Sequence, residues 1–138
     1  MEKQIFKDLL AQNQLSCSFA FNEINDKNVS LRLNASASSV GFIYRHIAET
    51  MLMFGYFFGM PSDVANTTMG KQDEGQGNNC DETKALLEKG FLMLEQLIEN
   101  TSDGGWNERN SEGNFERSQQ GSWQAGNPQR FELGCPCA

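Results

Sequence analysis

Apolar positions recur at helical spacing in three separate stretches of the chain. In the first, Ile5, Leu9, Ala20 and Ile24 mark one stripe, with Phe6, Leu10, Cys17 and Phe21 beside it. Such intervals predict an amphipathic helix over about 2–25, interrupted in its middle by Asn13 and Gln14. A connector from Asp26 to Ala37 follows, with one short apolar alternation at Val29, Leu31 and Leu33. Ser38 or Ser39 then offers an N-cap for a second helix over 39–59. Val40, Ile43, Ile47, Met51, Phe54 and Phe58 form its main stripe, and Phe42, Met53, Tyr56 and Phe57 widen it. A helix apolar over most of its circumference belongs between several neighbours. Gly59 and Pro61 stop it.

Residues 64–79 are polar and glycine-rich, which predicts a loop of the longer kind that borders functional sites. Asn79, with Glu82 three residues on, has the pattern of a capping box. It opens a third helix over 80–100, with Leu87, Phe91, Leu94 and Ile98 on one face and Leu86, Met93 and Leu97 alongside. Gly90 weakens that helix by about 1 kcal/mol relative to alanine, and so points to a close helix contact. From Thr101 the pattern is lost. Trp106, Phe115, Trp123 and Phe131 stand apart in a background of Gly, Asn, Gln, Ser and Glu, which predicts disorder or loose attachment for residues 109–138. Three amphipathic helices and no sustained strand pattern predict an all-α bundle occupying residues 1–108.

The length of 138 residues suits one such domain with one modest core. A net charge of −7 disfavours nonspecific binding to nucleic acid and to anionic lipid. The start, MEKQIFKDLL, has no apolar run or small-residue cleavage site of a signal peptide. Ser39–Met60 is long enough to span a bilayer, but Arg45, His46 and Glu49 fall within one turn of it. Charges there are costly in lipid, so a buried helix of a soluble protein is expected, with no membrane partner. A cytoplasmic location follows, with the four cysteines reduced.

Little in the chain carries chemistry. His46 is the only histidine, which rules out a Ser/His/Asp arrangement built around any other imidazole. One reading is a helix-edge histidine hydrogen-bonded to Glu49 or to a backbone carbonyl; the other is a metal ligand, to which Glu49 adds at most a second. The stretch GQGNNC lacks the third glycine of a dinucleotide fingerprint and follows no strand. Cys135 and Cys137 form a Cys-x-Cys pair of low specificity for soft metals or redox chemistry. Cys17 reads as a small core residue, and Cys80 as a thiol whose thiolate a helix N-terminus would favour. The remaining acidic residues, Asp81, Glu82 and those of 95–99, read as solvated faces and a helix-start charge.

Several features in order and spacing resemble the DinB/YfiT-like superfamily of four-helix bundles. They are a long first helix ending FAFNEIND, the connector NVSLRLNASAS, and the serine-started SVGFIYRHIAETMLMFGYFFG with its H-I-x-E turn and aromatic finish. SDGGWNE, at Ser102–Glu108, is similar to the family's loop before its last helix, so the resemblance covers about 2–108. It implies an up-down bundle with a divalent metal, zinc or nickel, held by three histidines. One of these lies on helix two and two lie on helix four at H-x-x-x-H spacing. His46 matches the helix-two position, and no histidine matches the others. By resemblance the chain is a metal-dependent thiol S-transferase or hydrolase with an incomplete site, acting on a small thiol or other small molecule in a cleft facing helix two. The alternative is a non-catalytic bundle that acts by binding or self-association, and the histidine count favours it.

Two structural expectations follow. His46 should face the bundle interior or a cleft beside Glu49. The second helix should present more apolar surface, through Val40, Ile43, Met51, Phe54 and Phe57, than two partner helices can cover. Self-association as a homodimer is the expected cover, ahead of residues 109–133 folding back. The composition shift at 108–116, where the resemblance puts a histidine-bearing helix, is also the pattern a change of reading frame would leave.

Overall fold

Two polar side chains start the second and third helices. A computed structural model describes residues 1–102, 104 and 105, and its helices are α1 (Glu2–Phe21), α2 (Val40–Phe57) and α3 (Cys80–Asn100). The Ser39 hydroxyl accepts from the Phe42 N–H at 3.2 Å, and Asn79 Oδ1 from the Glu82 N–H at 3.0 Å. Each cap satisfies a donor that the first helical turn leaves unpaired. The capping box is only half made, because the Glu82 carboxylate turns to Arg45, 2.9 Å from its guanidinium.

α1 ends at Phe21, short of the expected Asn25. The residues after it fold on themselves instead: Asn28 Oδ1 accepts from the Asn25 N–H at 2.9 Å, and Asn25 Oδ1 from the Lys27 N–H at 3.0 Å. Local bonds of this kind compete with helix continuation. Among the described residues there is no strand; the one β-type pairing is an isolated antiparallel bridge between Arg32 and Ser39. Of the connector's apolar alternation only Val29 is buried, while Leu31 and Leu33 are exposed. No helix among the described residues is long and apolar enough to cross a membrane.

The main packing is α2 against α3, with α1 laid more lightly on α3. α2 buries Gly41, Tyr44, Ala48, Leu52 and Gly55, and α3 answers with Thr83, Leu87, Gly90, Met93 and Leu97. The inner face is rotated from the expected stripe: Ile43, Phe54 and Phe58 are exposed, whereas Ile47 and Met51 of the same stripe pack against the core. Small side chains explain the rotation. A Cβ at Gly55 would lie 1.9 Å from Met93 Sδ, and one at Gly90 would lie 3.1 Å from Met51 Cβ, so these glycines let the two backbones approach. Gly90 is the close contact its sequence position implied.

α1 departs furthest from its predicted role, for none of its residues is buried. Ile5 and Leu9, taken as its core stripe, are exposed, together with Leu15 and Phe19. Its inner side meets α3 through polar groups: Lys3 Nζ donates to the Glu99 carbonyl at 2.6 Å, Lys7 pairs with the Glu99 carboxylate, and Gln14 Nε2 donates to Glu95 at 3.2 Å. Exposed contacts of this type add little stability. The firmest tie is at its end, where the Phe21 and Tyr44 rings stand 5.0 Å apart. The expectations for 109–138, including a fourth element and the Cys135–Cys137 pair, lie outside the described residues.

The loop between α2 and α3 crosses the start of α2 at backbone contact. A Cβ on Gly77 would sit 2.0 Å from the Gly41 carbonyl group, and one on Gly41 would sit 2.4 Å from the Gly77 oxygen. Neither neighbour is a flexible side chain that could yield. Gly77→Ala is therefore expected to lower the unfolding free energy by about 1–3 kcal/mol or more, as overpacking does, measured as a fall in the urea midpoint at unchanged slope. An unchanged midpoint would contradict the crossing.

Candidate functional site

Glu49 stands on the face of α2 turned toward the loop, and its side chain is wholly buried. A carboxylate taken out of water must recover its lost hydrogen bonds from the protein. Here five donors supply them. Arg45 Nε and the Thr67 hydroxyl each donate to Oε1 at 2.7 Å. The backbone N–H groups of Thr67 and Thr68 donate to Oε2 at 2.7 and 3.0 Å, and the Thr68 hydroxyl does so at 2.8 Å. Asn66 orders the same turn, with Oδ1 accepting from the Met69 N–H at 2.7 Å.

Arg45 extends the cluster. Its NH1 donates to the Gln76 carbonyl and to Glu82 Oε1, both at 2.9 Å, so one guanidinium joins α2, the loop and the first turn of α3. A second buried carboxylate fastens the other end of the loop. Asp73 Oδ2 accepts from the Ser39 N–H at 2.7 Å and pairs with Arg32 at 2.9 Å, while Oδ1 accepts from the Gly75 N–H at 3.0 Å. Burial works to raise the pKa of both acids. The Arg45, Thr67 and Thr68 hydrogen bonds outweigh it at Glu49, and the Ser39 and Gly75 bonds with the Arg32 charge outweigh it at Asp73, so both lie below the usual carboxylate range.

His46 is half-buried at the edge of this cluster, with Nδ1 3.0 Å from the Thr68 hydroxyl and its ring stacked parallel to Phe42 at 6.5 Å. It therefore reaches Glu49 through Thr68, rather than by the direct bond that one reading of the sequence expects. Glu49 itself is a poor second metal ligand, because both of its oxygens are already occupied by the donors named above. Among the described residues no group of three or more His, Cys, Asp or Glu side chains is placed to hold a metal ion. The described residues thus do not complete the zinc or nickel site that the resemblance implies.

The cysteines are not part of the cluster. Cys17 is half-buried and 3.7 Å from Asn13 Oδ1, at the surface and not in the core. Cys80 Sγ lies 3.5 Å from the Ile24 carbonyl. Burial, with the charges of Asp26 and Asp81, raises its thiol pKa, against the thiolate expected at a helix start. The residues that sequence reading overlooked are Thr67, Thr68 and Arg45 as a donor set. The signal available was a buried-helix glutamate with an Arg four residues before it and a hydroxyl-rich Asn-Thr-Thr turn in the following loop.

The clamp sets a pH dependence. Because the folded-state pKa of Glu49 is depressed, its stabilisation is complete above the ordinary carboxylate value and is lost as pH falls through the folded value. Glu49→Gln is expected to cost about 3–5 kcal/mol at neutral pH, as breaking a buried pair does. The variant should also lose less of its remaining stability than the parent on acidification below about pH 4. Urea titrations of both proteins across that range check the pair of outcomes.

No family model, curated protein or solved structure matches this chain.

Proposed function

We propose that this chain acts by association, as a non-catalytic helical bundle of DinB/YfiT-like type that pairs with a second copy of itself. The carrying observation is the outer side of α2. Ile43, Ile47, Thr50 and Phe54 follow one another at intervals of four, three and four residues, and Phe58 comes four residues later. That is the spacing of a helix-pairing seam. Ile43 is 51 % exposed and Phe54 50 %, so these two seam positions stand open to solvent, while Ile47 between them is partly buried against the core. A two-fold axis lets such a seam cover itself, because the same patch faces its own copy. Covering several hundred Å² of it contributes several kcal/mol at about 25 cal/mol per Å². Ile5, Leu9, Leu15 and Phe19 on the outer side of α1 add exposed apolar surface of the same kind.

Light scattering at micromolar concentration tests this reading. The expected result is a dimer that Ile43→Glu with Phe54→Glu converts to a folded monomer. A monomeric parent whose residues 106–138 resist limited proteolysis would instead make that segment the cover, and would overturn self-association.

A second reading has an observation of its own in His46. The DinB-like resemblance makes the chain a metal-dependent thiol transferase or hydrolase, and His46 occupies the helix-two ligand position in that pattern. What supports it is the anchored imidazole beside the loop; what weighs against it is the missing ligand set. Calorimetric titration with Zn²⁺ and Ni²⁺ decides between the readings. The association reading expects no stoichiometric binding, whereas binding that disappears in His46→Ala would restore the metal-dependent one.

A further inference from the structure

The hydrogen bonds around Thr68 form a chain with one consistent order of donors. Oε2 of Glu49, an ionised carboxylate, can only accept, so at 2.8 Å the Thr68 hydroxyl must give it its single proton. The same hydroxyl oxygen is 3.0 Å from His46 Nδ1 and has only lone pairs left to offer. Nδ1 must therefore carry a hydrogen. The reverse order, with Thr68 donating to Nδ1, would leave two acceptor oxygens facing each other at 2.8 Å inside the protein. The four other donors that converge on Glu49 hold it as a carboxylate and exclude that order.

We propose that Glu49 and Thr68 are positioning residues for His46, holding its neutral imidazole as the Nδ1–H tautomer and presenting Nε2 as a bare lone pair. Free histidine in water prefers the opposite tautomer, with the proton on Nε2, so the protein inverts the resting state. The site then takes an electron-pair acceptor at Nε2, the acidic hydrogen of a small polar ligand. Two buried polar atoms have no hydrogen-bond partner among the described residues: Thr50 Oγ1, one helical turn after His46, and Asn66 Nδ2, two residues before Thr68. Buried polar atoms are nearly always paired, so both have hydrogen-bonding capacity left to meet.

The inference rests on the reading of His46 as the functional group, yet its readout is independent of any ligand. Nitrogen-15 chemical shifts of the His46 ring in the free, full-length protein, recorded well above the imidazole titration, report which nitrogen carries the hydrogen. The expected spectrum has Nδ1 in the protonated range and Nε2 in the bare range. Thr68→Ser should keep that pattern, and Thr68→Val, checked for folding by circular dichroism, should shift it toward the Nε2–H form. A parent protein with Nε2 protonated, or a Thr68→Val variant with unchanged shifts, would overturn the proposal. Adding phenol, an uncharged proton donor, should move the Nε2 resonance. If it does not, Nε2 is not a presented ligand site, and that half of the proposal is overturned whatever the tautomer.

Discussion

The arrangement depends on one buried negative charge. Glu49 is carried into the interior by α2, where an unpaired carboxylate would be strongly destabilising. Its requirement for donors is met by the Thr67–Thr68 turn and by Arg45 one helical turn before it. The loop between α2 and α3 therefore has its path set by a helix residue, not by its own propensities. Arg45 carries the constraint onward to Glu82 at the start of α3, and Asp73 carries it back to Ser39 at the start of α2. Three carboxylates, Glu49, Asp73 and Glu82, and two arginines, Arg32 and Arg45, thus tie both helix starts and the loop into one unit, and Gly41 and Gly77 permit the backbones to cross at the distance this requires.

That unit gives His46 its setting. The imidazole is not itself in the clamp; it leans on Thr68, whose hydroxyl already serves Glu49. An imidazole supported in this way keeps a fixed orientation because its support is needed for folding. The oxygens of Glu49 are taken up in closing the loop. Ile43 and Phe54 take no part in these contacts and remain exposed.

Much of the helix framework was legible in the sequence, and the reason is local. Ser39 and Asn79 are caps that act within three residues, so the starts of α2 and α3 follow from short-range chemistry. Which face of each helix turns inward was not legible. Large apolar residues on α2 suggested one buried stripe, yet Ala48 and Gly55 lie on the face turned to α3, because close approach there depends on small side chains rather than on hydrophobicity. For α1 the apolar spacing was real, but its contacts with α3 run through Lys3, Lys7 and Gln14. His46 and Glu49 stood out as polar residues in an apolar helix, whereas Thr67 and Thr68 could be found only once the fold had brought a loop residue to a helix residue eighteen or nineteen positions away.

Amide hydrogen exchange at Thr67 and Thr68 tests most directly whether Glu49 organises the loop. Both N–H groups end on the Glu49 carboxylate, so they should exchange only when the clamp opens, with protection approaching that of the α2–α3 interface, and should lose that protection in Glu49→Gln. Exchange at the rate of an exposed loop in the parent protein would contradict the account.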